Sequence, residues 1–134
     1  MGRTRTRSTA AGIVLDAGAL IALDRGDKRM IALLQRALAQ GRAFRVPAGV
    51  VAQVWRDGRV HATLARFLRS TEVEIIPLDD QLARACGELC GASGSPDVID
   101  ASVVILARER RDPIATSDPN NLRRLDPAAQ IVAV

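Results

Sequence analysis

Four aspartates carry the chemistry open to this sequence. Asp16 closes the short apolar run GIVLD at residues 12–16, and Asp118 follows the run PIAT at residues 113–116. An acid just past a buried strand lies at the carboxyl edge of a sheet, where open α/β folds bind ligands. Asp97 and Asp100 stand three apart at the start of the apolar stretch 97–110. Asp97 suits a helix N-terminus electrostatically. Asp100 lies one turn further in, among apolar residues, where a carboxylate without a partner is costly. Acids converging on one edge repel and raise one another's pKa values. A divalent cation resolves that repulsion, and hard oxygen donors favour magnesium or manganese. Neutralisation by arginine, in a structural ion-pair network, is the alternative.

Other chemistries find few residues to work with. His61 is the single histidine, so a Ser-His-Asp or Cys-His engine would rest on it alone. Cys86 and Cys90 are too few for a disulfide framework or a cysteine-rich zinc site. Their i,i+4 spacing in a helical pattern suits two reduced, mostly buried thiols, as expected of a cytoplasmic protein. Neither GxxxxGK[ST] nor GxGxxG occurs, so no phosphate cradle of those kinds is indicated.

The elements that position the acids read as strands alternating with helices. The short apolar runs at 12–16, 44–47, 73–77, 113–116 and 131–134 read as strands. Between them, residues 17–26 open a short helix, and 27–41 is amphipathic with Met30, Leu33, Leu34, Ala37 and Leu38 on one face. A helix follows Pro47 and ends near Gly58; others span 60–70, 79–91, 97–110 and 119–125. GASGSP is the one clear loop. The alternation predicts an α/β sandwich around a mainly parallel sheet.

At 134 residues, 48% hydrophobic and 25% charged, the chain suits one globular domain with its own core. The expected division is a basic N-terminal tail at 1–11 and a domain at 12–134. Aromatics make up only 2%, which argues against recognition by stacking. Nineteen basic residues face fifteen acidic ones, and Lys28 is the only lysine. Arginine pairs bidentately with phosphate, so an anionic partner is plausible. Arg25, Arg56, Arg59 and the group Arg108, Arg110 and Arg111 are candidates for phosphate contacts. Arg3, Arg5 and Arg7 before an apolar run imitate a signal peptide, but Asp16 interrupts the run. No uncharged apolar stretch is long enough to span a membrane.

Four segments, in order, resemble the PIN-domain family and within it the VapC toxins of bacterial toxin–antitoxin pairs. They are LDAGALIAL, VPAGVVAQVWR, DVIDASVVILARER and IATSDPNNLRRL. The resemblance covers residues 12–134 and implies a three-layer α/β/α sandwich. It implies a magnesium- or manganese-dependent endoribonuclease acting on RNA of the tRNA or rRNA class. It also implies a VapB-like antitoxin as inhibitor, a homodimer and a higher toxin–antitoxin assembly. Asp16 matches the first acid, Asp100 the third, Asp118 the fourth, and Thr116 the small hydroxyl residue before it. Asp97 is an extra acid, and its exchange with Asp100 stays open. Gln53 stands where the second segment usually carries glutamate, a neutral amide in place of a charge. The rival readings are a PIN-like pseudo-nuclease that binds RNA or an antitoxin without cutting, and a metal-free interaction domain. Asn120 and Asn121 either support metal-bound water or cap the helix at 119–125.

Overall fold

The computed structural model describes residues 10–134. The expected basic tail lies, for residues 1–9, outside the described residues. Five strands form one sheet: β1 (Gly12–Leu15), β2 (Ala43–Pro47), β3 (Val73–Ile76), β4 (Ile114–Thr116) and β5 (Ile131–Ala133). Their spatial order is β3-β2-β1-β4-β5, and every pairing is parallel. β1 is apolar, β2 is apolar apart from Arg45, and both are almost wholly buried, as strands covered on both faces must be.

Seven helices complete the described residues: α1 (Ala17–Asp24), α2 (Lys28–Ala39), α3 (Ala48–Val54), α4 (Ala62–Leu68), α5 (Asp80–Ser93), α6 (Val98–Arg110) and α7 (Pro119–Leu125). The steps β1 to β2 to β3 run one way, and right-handed crossovers put α1 to α4 on one face. The return from β3 to β4 puts α5 and α6 on the other face, where α7 also packs. The three-layer α/β/α sandwich follows. The direction of progression reverses between β1 and β4, so a crevice opens beyond their carboxyl ends. α6 carries the middle of its layer. Ala101, Val103, Val104, Leu106 and Ala107 are buried, and the helix packs on β1, β2 and β4 and against α5 and α7.

Aspartates start most of the helices. Asp16, Asp27, Asp79, Asp97 and Asp118 each accept a backbone N–H from the first turn of the helix that follows, the interaction that makes aspartate a favoured N-cap.

Several boundaries differ from the sequence reading. The helix after Pro47 stops at Val54, not near Gly58, because the Asp57 carboxylate takes the Arg59 amide and turns the chain. The next helix starts at Ala62, not residue 60, and Asp24 of α1 receives the Leu64 amide at 3.2 Å. The helix expected to end at Gly91 runs to Ser93. Gly94 ends it with φ of +78°, a left-handed conformation that costs glycine no Cβ clash. Cys86 is buried, Cys90 is half-buried, and both are free thiols. Among the described residues no helix is long and apolar enough to cross a membrane.

Candidate active site

Asp16 directly follows β1 and is buried, 6% exposed. Its Oδ1 accepts the Ala19 amide at 2.9 Å, so the residue that caps α1 also faces the crevice. Burial pushes its carboxyl upward, against the Thr116 hydroxyl and Ala19 amide that bond to the charged form. The nearby Asp118 charge adds to the upward push. Thr116 lies at the end of β4, fully buried. Its hydroxyl bonds to Asp16 and accepts the Asp118 amide at 2.9 Å. One hydroxyl thus links the two strand-end acids.

Asp118 is exposed and caps α7. Asn121 Nδ2 donates to Asp118 Oδ2 at 2.6 Å, which holds the carboxylate in one orientation. The cap of α7 is thus Asp118 and not one of the asparagines weighed for that role; Asn121 supports the cap from inside the helix. The close approach of the two ends depends on Gly18. A Cβ there would stand 2.0 Å from Ser117 Oγ and 3.1 Å from Ser117 Cβ. Glycine lets the first turn of α1 sit against the residue before Asp118.

Asp100 meets this pair from α6. Its carboxyl is pushed up to about 7, first by burial, then by the charges of Asp97 and Asp16, a hydrogen bond with Asp97 and the charge of Asp118. Capping engages Asp97 as it engages Asp16 and Asp118. Asp97 Oδ1 is engaged by the amides of Ile99 and Asp100 at 3.1 and 2.9 Å. Asp100 lies past the cap and feels all three other acids. The fold thus gathers Asp16, Asp97, Asp100 and Asp118 into one electrostatic cluster.

Gln53 is exposed and sits on α3, one turn beyond Gly49. A Cβ on Gly49 would stand 2.4 Å from Ile99 Cδ1, so that side of α3 faces the start of α6. Residues four apart share a helix face, which turns Gln53 toward the side of the carboxylates.

The donor set suits a hard divalent cation by chemistry: carboxylate oxygens that repel one another, one of them retaining its proton up to about 7. Among the described residues, no three His, Cys, Asp or Glu side chains form a ready-made cage for an ion. Water ligands are compatible with this arrangement, since magnesium usually keeps several of its own.

The arginines proposed for phosphate lie elsewhere or are occupied. Arg108, Arg110 and Arg111 end α6, about 18 Å of helix from its acidic start,. Arg108 pairs with Asp126 at 3.5 Å and Arg110 with Glu74 at 3.6 Å. Arg111 takes a left-handed φ of 57° as the C-cap. Arg25 closes α1 at the end away from Asp16. Arg56 donates to the carbonyls of Ala52 and Trp55, and Arg59 pairs with Asp57.

The sequence reading missed a buried charge network at the opposite edge of the sheet. Arg45, 1% exposed, pairs with Asp112 at 2.6 Å and Glu74 at 3.3 Å. Asp112 also takes the Gly12 amide at 3.0 Å. The available signal was a charged residue inside each of two otherwise apolar strands, at directly opposed positions.

No protein-family profile matches the chain, and neither does any curated protein sequence. Solved structures do. VapBC2 from Rickettsia felis, bound to a DNA fragment of its promoter, superposes with a TM-score of 0.70 at 16% identity. The match covers 91% of this chain and 98% of that one. DNA-bound VapBC from Salmonella typhimurium gives 0.66 at 16% identity, covering 92% and 98%. VapC20 from Mycobacterium tuberculosis, a toxin that cleaves the Sarcin-Ricin loop, gives 0.59 at 16%, covering 79% and 88%. At this identity the likeness establishes the fold.

Proposed function

We propose that this chain, which has the fold of the VapC proteins, is a divalent-cation-dependent endoribonuclease toxin held in check by a VapB-like antitoxin. The observation that carries the reading is the cluster of Asp16, Asp97, Asp100 and Asp118 at the switch point of a parallel sheet. The cleavage named for VapC20 supports a nuclease; the substrate proposed is RNA of the tRNA or rRNA class. The VapBC complexes support an antitoxin partner and a higher assembly, and a homodimer is part of the same proposal.

Asp16, Asp100 and Asp118 would hold magnesium or manganese, with Asp97 behind Asp100. Such an ion supplies an acidified water and polarises a phosphoryl oxygen. The protein's own part is positioning. Thr116 and the Ala19 amide orient Asp16, and Asn121 orients Asp118. Asp100 is the group whose proton must leave before the cluster reaches full charge.

The exposed neutral Gln53 favours one second reading, a pseudo-nuclease that binds RNA or antitoxin without cutting. The deciding experiment incubates the purified chain with total RNA and magnesium or manganese, and sequences the new 5′ ends. Discrete cuts, lost in Asp16→Ala and Asp100→Ala, support the nuclease. RNA binding without cuts at any metal concentration supports the pseudo-nuclease.

A further inference from the structure

α7 starts at the carboxylate cluster and carries two arginines of its own, Arg123 and Arg124. Leu122 and Leu125 turn one side of the helix into the core, which leaves Asn120, Asn121, Arg123 and Arg124 exposed on the other. Among the described residues neither arginine makes a hydrogen bond or an ion pair. Asp126, the acid that follows the helix, is taken by Arg108 at 3.5 Å and by the Ala128 amide at 3.0 Å. Two guanidinium charges thus face outward beside the site.

Position round the helix separates the two. Asn121 reaches Asp118 through its Nδ2 at 2.6 Å. Arg124 stands three residues beyond Asn121, about 4.5 Å along the axis, and residues three apart are surface neighbours. Helical side chains lean toward the N-terminus, so the Arg124 guanidinium is carried back along Asn121 toward the carboxylates. Asp118, Asn121 and Arg124 form one stripe. Arg123 lies about 100° round the helix from Arg124 and faces away from that stripe. The stripe has the charge order that a phosphodiester strand requires. Acids that gather a cation engage one phosphate through it, and they repel the next. A guanidinium one turn away offsets that repulsion and grips the phosphate with two parallel N–H donors.

We propose that Arg124 holds the phosphate adjoining the one engaged at the carboxylate cluster, so that an RNA strand lies along the exposed face of α7. The assignment rests on the reading of this chain as an RNA-acting protein, but it does not need the chain to cut. Filter binding of end-labelled total RNA, with manganese, is measured at several salt concentrations in an Asp100→Asn background, in which the nuclease reading expects no cutting. Arg124→Gln should weaken binding about tenfold. It should also flatten the dependence of log affinity on log salt by about one, the share of a single phosphate contact. Arg124→Lys keeps the charge without the fork, so it should retain the salt dependence and recover part of the affinity. Arg123→Gln removes the same charge from the same helix and should weaken binding far less. Thermal unfolding should coincide for all these chains; a destabilised Arg124→Gln protein would mean a structural role and overturns the proposal. Equal losses in Arg123→Gln and Arg124→Gln mean a diffuse positive field and overturn it too, as do unchanged binding in Arg124→Gln or a background chain that binds no RNA. A native chain that leaves total RNA uncut, with binding still lost in Arg124→Gln, overturns the nuclease reading alone.

Discussion

Asp100 sets the pH behaviour of the carboxylate cluster. Its carboxyl sits at about 7 in the fold, against an ordinary 3.8. The folded state therefore holds a proton that the unfolded chain has already released between those values. Stability falls wherever the folded state binds more protons and pH rises. For this group, stability is greatest below about pH 4, declines to about pH 7 and is flat above. Thermal unfolding of the chelator-treated protein should show that decline, and Asp100→Asn should lessen it, leaving the part that Asp16 contributes. A cation competes with the same proton, so apparent manganese affinity should rise up to about pH 7. Calorimetry at pH 5.5 and 8 checks this; equal affinities would separate Asp100 from the cation.

Gln53 is the second residue with a defined outcome. An added carboxylate on that side of α3 supplies a charge and an oxygen ligand. Gln53→Glu should raise RNA cleavage at low magnesium and shift the magnesium titration to lower concentrations. Coincident titrations for the two proteins would place position 53 outside the site.

At the scale of elements, the site is a meeting of helix starts. α1, α6 and α7 begin at Asp16, Asp97 and Asp118, and each cap leaves its carboxylate at the crevice. Capping and convergence are thus one geometry, and its tightest point is Gly18 against Ser117. Gly18→Ala forces a methyl group onto Ser117 and should cost about 1–3 kcal/mol, the range for overpacking a filled site. It should also separate Asp16 from Asp118 and lower cleavage. Adding Ser117→Gly should recover much of the stability, which chemical denaturation would measure. A Gly18→Ala protein as stable as the parent would mean that the turn relaxes without loss.

Across the whole molecule, one edge of the sheet gathers the carboxylates and the other holds a buried ion-pair network. Arg45 binds Glu74 of β3, Asp112 before β4 and the Ala10 carbonyl before β1, so one guanidinium ties together chain segments that meet only in the folded state. Removing it takes the guanidinium from buried Asp112 and leaves Glu74 with Arg110. Arg45→Leu should destabilise the fold by about 3–5 kcal/mol, the usual cost of breaking a buried pair from one side. The double variant Arg45→Leu, Asp112→Asn should lose less than the single one, since Asp112 then carries no charge and Glu74 keeps Arg110. A single variant that costs as little as a surface substitution would refute the network's structural role.

What the sequence determined was local. Short apolar runs closed by acids specified strands with carboxylates at one edge, and aspartates before helical patterns specified where most helices begin. Those signals depend on neighbouring residues, so Asp16, Asp97, Asp100 and Asp118 were legible without a fold. Tertiary structure decided the rest. The arginines at 108, 110 and 111 looked available for phosphate because composition carries no direction; α6 delivers them to the edge opposite the acids. The start of α4 was misread because Asp24, forty residues before Leu64, supplies its cap. The Arg45 network needed the same knowledge. Pairing energies and pKa shifts depend on distance through space and on burial, and neither quantity exists until the chain has folded.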